Sequence, residues 1–199
     1  MKNILILTIL IICNPVCAFN RYLEKQEFMS LDATNGLISN EVTCIFQDSK
    51  GFIGLGTKNG LSKYDGYQCL NYKSNYLNPH FLSNNYITCI TEDKENRLWV
   101  GTKNGLNIID LPTNTTIELE DSTLKSTNIN DIVISKDSTI FIACEEEIFT
   151  YSNQTLMHIE LKRRGKDVAK SYINSLFIDS NEYLWISSWN NGYFVYDIK

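Results

Sequence analysis

Two histidines, His80 and His158, stand alone in the 199 residues, and no two cysteines share a Cys-x-x-Cys spacing, so the sequence offers no metal template. It also lacks a basic stripe. Lys162-Arg163-Arg164 is one short cluster in a chain of net charge −5, read here as a solvated loop end, and an acidic protein of that kind repels phosphate backbones. Nucleic acid is therefore excluded as a partner. Past the first twenty residues no apolar run reaches the roughly 20 residues needed to span a bilayer, and helical periodicity is missing throughout.

The leader is the exception to the even composition. Met1-Lys2-Asn3, an apolar run from Ile4 to Ile12 broken by Thr8, Asn14-Pro15 and the small-residue exit Val16-Cys17-Ala18 have the layout of a secretory signal over residues 1–18. The mature chain, 19–199, is expected to be exported to the periplasm. Four cysteines remain in it, Cys44, Cys69, Cys89 and Cys144. Cys44 and Cys89 fall at one repeat position, which favours small buried apolar residues over bridges.

What the sequence does have is repetition. Leu98-Trp-Val-Gly-Thr102, Lys103-Asn-Gly105 and Leu106-Asn-Ile-Ile-Asp110 form a strand, an Asn-Gly turn and a strand. Gly56-Thr-Lys-Asn-Gly-Leu61 recurs verbatim at Gly101 to Leu106, and Thr43-Cys44-Ile45 recurs at Thr88-Cys89-Ile90. From Ile45 to Ile90, Ile132 and Leu176 the periods are 45, 42 and 44 residues. Further strand candidates at Tyr67–Tyr72, Thr115–Leu119 and Thr155–Leu161 make four short strands per unit. That combination predicts an all-β chain, a β-propeller of four-stranded antiparallel blades, about four of them, with units near 37–73, 82–120, 128–161 and 172–199. The fourth unit lacks an outer strand, and Phe28–Leu31 is a candidate strand that could supply one. Two arrangements fit: a four-bladed ring closed by strand exchange, or the first four blades of a longer propeller.

In each unit the second strand carries a pair of positions on one sheet face: Gly54 and Gly56, Trp99 and Gly101, Phe141 and Ala143, Trp185 and Ser187. These residues, with Trp99, Gly101, Gly56, Phe141 and Trp185 foremost, are expected to be packing, a large ring of one blade lying over the small residue of the next. Gly54 breaks the pattern, so the first blade should be the least well packed. Up-and-down topology places Ser39-Asn40, Lys58-Asn59, Ser83-Asn84, Lys103-Asn104 and Trp189-Asn190-Asn191 around one mouth of the central channel. The turns at Asp48–Gly51 and Asp93–Asn96 face away. Trp189, Asn190, Asn191, Asn104, Lys103, Asn59 and Lys58 are thus the candidate ligand rim, Trp189 because an aromatic on an amide-rich rim suits stacking on a sugar ring.

The repeated unit Ser-Asn-x-Val-x-x-Ile-x-x-Asp-x-x-Gly-x-Leu-Trp-Ile-Gly-Thr-x-x-Gly-Leu resembles the two-component regulator propeller repeat. The match is best at Ser83–Asp110, good at Ser39–Asp65, partial at Ile173–Asp197 and weak at Ile129–Tyr151. The resemblance implies the periplasmic sensor region of a Bacteroides-type hybrid two-component system, in which propellers sense oligosaccharides. It implies a β-sandwich, a membrane helix and a histidine kinase following the propeller, and none of these is in the sequence, so an N-terminal fragment is expected, tied to a membrane only through that missing part. No residue motif carries over the family's ligand site.

The expected function is a sensor module for an oligosaccharide or other small ligand, with the remaining propeller blades or a homodimer of the sensor as protein partners, and with no cofactor or metal. A secreted scaffold for a protein partner is the alternative. A propeller glycosidase or lyase fits less well, because the mouth loops carry Ser, Asn and Lys. Glu145-Glu146-Glu147 is the one acidic cluster, in a single degenerate turn.

Overall fold

A computed structural model describes residues 29–74, 82–119, 121–163, 166–167, 171–189 and 191–198. Residues 1–18, Phe28, His80, Arg164 and Asn190 lie outside the described residues. The strands are β1 (Val42–Gln47), β2 (Ile53–Thr57), β3 (Gly60–Tyr64), β4 (Cys69–Tyr72), β5 (Ile87–Glu92), β6 (Arg97–Thr102), β7 (Gly105–Asp110), β8 (Thr115–Ile117), β9 (Ile129–Ile134), β10 (Ile140–Cys144), β11 (Ile148–Ser152) and β12 (Thr155–Ile159). After a two-residue pair, β13 (Lys162–Arg163) and β14 (Lys166–Asp167), come β15 (Ile173–Ile178), β16 (Tyr183–Ser188) and β17 (Gly192–Asp197). They form four antiparallel blades, ordered β1-β2-β3-β4, β5-β6-β7-β8, β9-β10-β11-β12 and β15-β16-β17. Lys162 and Arg163 of the basic cluster thus pair as a short strand with Lys166 and Asp167. Met29–Leu31 carry no strand, and Asp32–Gly36 holds a single 3₁₀ turn, Ala33–Asn35, capped by Asp32.

Blades stack through their first strands, β1 on β5, β5 on β9 and β9 on β15, while β1 and β15 do not pack on each other as these neighbours do. The four blades are an open arc, not a closed ring. Tight turns set the register. Gly105, at φ 113°, occupies a left-handed position where a Cβ would lie 2.5 Å from the Lys125 carbonyl oxygen, so glycine answers both the dihedral and the space.

The cores lie between blades. Cys44, Phe46 and Leu61 meet Ile87, Leu98, Val100 and Ile109. Cys89, Trp99 and Ile108 meet Ile132, Ile140, Ile142 and Phe149. Phe141 and Ala143 meet Ile173, Leu176, Leu184 and Ile186. The period-two pattern suggests that a ring of one blade covers the small residue of the next, but at Gly56 and Gly101 no aromatic ring does so. A Cβ on Gly101 would stand 2.4 Å from Cys89 Sγ and 2.8 Å from Ile129 Cγ2, so the occupants are a thiol from the same blade and a branched aliphatic from the next blade's first strand. Gly56 has the same two neighbours, Cys44 and Ile87. Such a thiol fills a cleft instead of reacting: the described cysteines are free, and burial pushes Cys44 up to about 11 and Cys144 up to about 12.

Trp99 is fully buried and Phe141 is 2% exposed, whereas Trp185 is 39% exposed. Trp185 is therefore not core, because among the described residues no blade stands in front of its face of blade 4. In the first blade Gly54 leaves a gap of about 20 Å³ lined by Phe46, Leu61, Tyr72, Leu98 and Ile109. The indoles are also anchored by hydrogen bonds. Trp99 Nε1 donates to Asp93 Oδ2 at 2.7 Å and Trp185 Nε1 to Asp179 Oδ2 at 3.0 Å, while in blade 1 Lys63 Nζ lies 3.3 Å from Asp48 Oδ2 instead. Burial pushes the Asp93 carboxyl up, but hydrogen bonds from Trp99 and Arg97 outweigh it and hold it below the usual carboxylate value. The turns far from the mouth are tied blade to blade, Ser49 to Glu92 at 2.8 Å and Lys136 to Glu182 at 3.0 Å.

Candidate functional site: a funnel built by four bulges

Each first strand is interrupted at one position. Val42 pairs with Thr57 and Cys44 with Gly56, leaving Thr43 without a ladder partner. Ile87 and Cys89 flank Thr88 in the same way, Ile129 and Asp131 flank Asn130, and Ile173 and Ser175 flank Asn174. An extra residue of this kind is a β-bulge, which bends the strand and re-aims a side chain. Its mark is plain in blade 2, where Ile87 packs toward blade 1 and Cys89 toward blade 3 although they are two residues apart. The four bulged residues converge on a concave cavity of about 400 Å³ inside the arc. Thr43, Thr88, Asn130 and Asn174 form its inner wall, and Tyr86, Lys103, Tyr172 and Trp189 its mouth.

The mouth is organised by a second repeated bond. The backbone N–H of the turn residue donates to the carbonyl of the residue just before the first strand: Lys58 to Glu41 at 3.1 Å, Lys103 to Tyr86 at 3.0 Å and Trp189 to Tyr172 at 3.0 Å. This pairs the side chains as Lys58 with Glu41, Lys103 with Tyr86, and Trp189 with Tyr172. Lys58 Nζ is 2.6 Å from Glu41 Oε1, and the Lys103 ammonium stands 5.8 Å from the centroid of the Tyr86 ring. In blade 3 the turn carries Glu145, whose Oε1 accepts from Asn128 Nδ2 at 3.2 Å.

Trp189 is 74% exposed, and its indole N–H donates to Asn174 Oδ1 at 3.0 Å, which fixes the ring against the wall with its surface in solvent. Thr43 Oγ1 donates to the Ile87 carbonyl at 2.7 Å and Asn130 Nδ2 to the Ile173 carbonyl at 2.6 Å, so these two bulged residues also stitch their blade to the next. Asp131, next along β9, is pushed up by burial while its carboxylate accepts from the Leu176 N–H at 2.8 Å.

Of the rim residues expected from sequence, the structure brings Lys103 and Trp189 to the cavity. Lys58, Asn59 and Asn104 do not line it. Lys58 is drawn to Glu41, and the Asn59 and Asn104 backbones close their turns by donating to Thr57 Oγ1 and Thr102 Oγ1 at 3.0 and 3.1 Å. Asn191 turns to the Ser171 hydroxyl. Sequence reasoning missed Thr43, Thr88, Asn130, Asn174, Tyr86 and Tyr172. A signal was available for the first four: they recur at 45, 42 and 44 residues.

This set offers hydroxyls, amides, phenols, an indole face and one ammonium for binding, and among the described residues its lining includes no carboxylate and no imidazole.

The sequence model of the two-component regulator propeller matches residues 82–104, the start of blade 2 through its Asn104 turn. No curated protein matches the sequence. Among solved structures, the extracellular domain of a hybrid two-component system from B. thetaiotaomicron is similar at 20% identity with a TM-score of 0.72, over 87% of this chain and 24% of that one. Virginiamycin B lyase from Staphylococcus aureus is similar at 16% identity and a TM-score of 0.56, over 78% and 55% of the two chains. An auxiliary nutrient binding protein from Bacteroides thetaiotaomicron is similar at 11% identity and a TM-score of 0.59, over 80% and 39%. At these identities the likeness is one of fold, and the chain spans about a quarter of the first of these structures. Among the described residues no helix is long and apolar enough to cross a membrane. With the family match seated on the best-preserved blade of a propeller fold, the chain carries the two-component regulator propeller repeat.

Proposed function

We propose that the chain is the ligand-sensing propeller of an extracytoplasmic two-component sensor, that its funnel takes an oligosaccharide, and that it does so without turnover. The observation that carries this reading is Trp189, an exposed indole pinned by Asn174 on the wall of a polar cavity of about 400 Å³. An aromatic face bordered by amides and hydroxyls matches a sugar ring, apolar on its C–H face and polar at its edge. The kinase and membrane parts belong to the whole sensor in this reading. A further propeller blade is then the neighbour of the open face of blade 4, where Trp185 holds the position that the next blade covers at Trp99 and Phe141.

The experiment is a thermal-shift and calorimetric panel of oligosaccharides on the intact chain. A ligand at 100 times its Kd should add about 2.7 kcal/mol of stability, and Trp189→Ala should weaken binding about ten-fold with the fold intact. New reducing ends or unsaturated products would show turnover and overturn the non-enzymatic part. No shift with any sugar would overturn the sensing part.

A further inference from the structure

The rim positions of blades 1, 2 and 4 repeat in backbone but not in charge. In blade 1 the turn lysine, Lys58, is neutralised by Glu41 at 2.6 Å. In blade 2 the backbone bond is the same, but Tyr86 stands where Glu41 stands, and among the described residues no ion pair holds Lys103. Lys103 is also the charged residue on the cavity lining, in a chain whose overall charge is −5. The carboxylate on the next turn, Glu145, is engaged by Asn128 and is not part of that lining. A cation placed on a polar concave wall, with its repeat-mate's carboxylate replaced by a phenol ring, lacks the anion that neutralises it one blade away.

We infer that the ligand itself supplies that anion: the funnel takes an acidic sugar, a uronate whose carboxylate sits at Lys103 while a ring stacks on Trp189. This rests on the oligosaccharide reading above and narrows it. The Lys103 ammonium stands over the Tyr86 ring, and the Thr88 hydroxyl lines the same cavity as a neutral polar group. A charge-assisted hydrogen bond at such a site is stronger than a neutral one, enough to favour the acid over its uncharged ester.

The test uses the intact chain, with galacturonate, glucuronate and mannuronate trisaccharides, each paired with its methyl ester, and cellotriose and mannotriose as neutral sugars. The ester differs from the acid in charge and little else. One acid is expected to bind at least about ten-fold more tightly than its ester. Lys103→Met should bring the acid down to the level of the ester, and Lys103→Arg should keep the difference. If acid and ester bind alike, or if Lys103→Met leaves the difference intact, the acidic-sugar inference is overturned while oligosaccharide sensing stands. Absence of binding by every sugar, charged or neutral, overturns both.

Discussion

Blades 2 and 4 use the same tryptophan in the same way up to a point. In both, the indole N–H reaches the aspartate of the preceding turn, at 2.7 Å for Trp99 and 3.0 Å for Trp185. Beyond that bond they diverge. Trp99 is closed over by Ile132, Ile140 and Ile142 of blade 3 and touches the Tyr151 ring at 5.2 Å. Trp185 has its own blade's Tyr193 stacked at 5.5 Å, and around it Phe177 at 64%, Tyr193 at 67% and Val195 at 46% stay exposed. The polar anchor is thus a property of one blade, set by local sequence, and burial is a property of two. Most of the stabilisation should come with the second, since apolar burial scales with area removed from water and an exposed hydrogen bond contributes little net.

The sharpest way to break that comparison is to truncate both rings. Trp99→Ala should cost about 3–5 kcal/mol in urea unfolding, as for other buried aromatics, and Trp185→Ala less than half of it. Equal losses would mean that the anchor, not the neighbouring blade, does the stabilising. Next comes the small residue beneath. Gly101→Ala forces a methyl into the Cys89 thiol and Ile129 and should cost about 1–3 kcal/mol, with part recovered in a Gly101→Ala/Cys89→Ala double variant. Ser187→Ala at the matching place in blade 4 should stay within about 1 kcal/mol.

A smaller effect separates the two carboxylates by pH. Asp93 and Asp179 both titrate below the usual carboxylate value, Asp93 despite burial that pushes it up, Asp179 chiefly through the Trp185 indole. A carboxyl depressed in the folded state adds stability above its unfolded pKa, near 3.8, and that stability is lost as pH falls through the lower folded value. Trp99→Phe should therefore flatten the acid limb of the stability curve below about pH 4, and Trp185→Phe should flatten it less because solvent screens Asp179. Urea midpoints taken down that limb measure both slopes. The smallest change sharpens the contrast from the other end of the arc. Gly54→Ala adds a methyl where the nearest atom is 3.7 Å away, and should raise the unfolding free energy by about 0.4–1 kcal/mol.

The repeats made the blades legible. Gly-Thr-x-x-Gly-Leu gives strand, turn and strand, and period two gives the shared face of Trp99 and Gly101. Which residue covers Gly101 was not legible, because that depends on where Ile129 of the following blade falls, a contact across 28 residues set by strand register. Exposure at Trp185 was hidden for the same reason: Leu-Trp on a second strand reads alike in blades 2 and 4, and burial depends on the company the blade keeps. The mouth was half legible. Turn residues announce themselves through Asn-Gly chemistry, so Lys103 and Trp189 were found, whereas Thr88 and Asn130 sit inside strands and look like ladder residues until the bulge shows in the pairing.

Those bulges have a consequence for how such a protein changes over generations. Thr43, Thr88, Asn130 and Asn174 sit outside the ladder, so a new side chain at Thr88 or Asn174 leaves strand pairing as it was. Thr43 and Asn130 are less free, since each donates to a carbonyl of the adjoining blade. Natural variation in what is recognised should accordingly accumulate at alternate blades, with specificity drifting at two of the four positions while the other two are held by the seams they close.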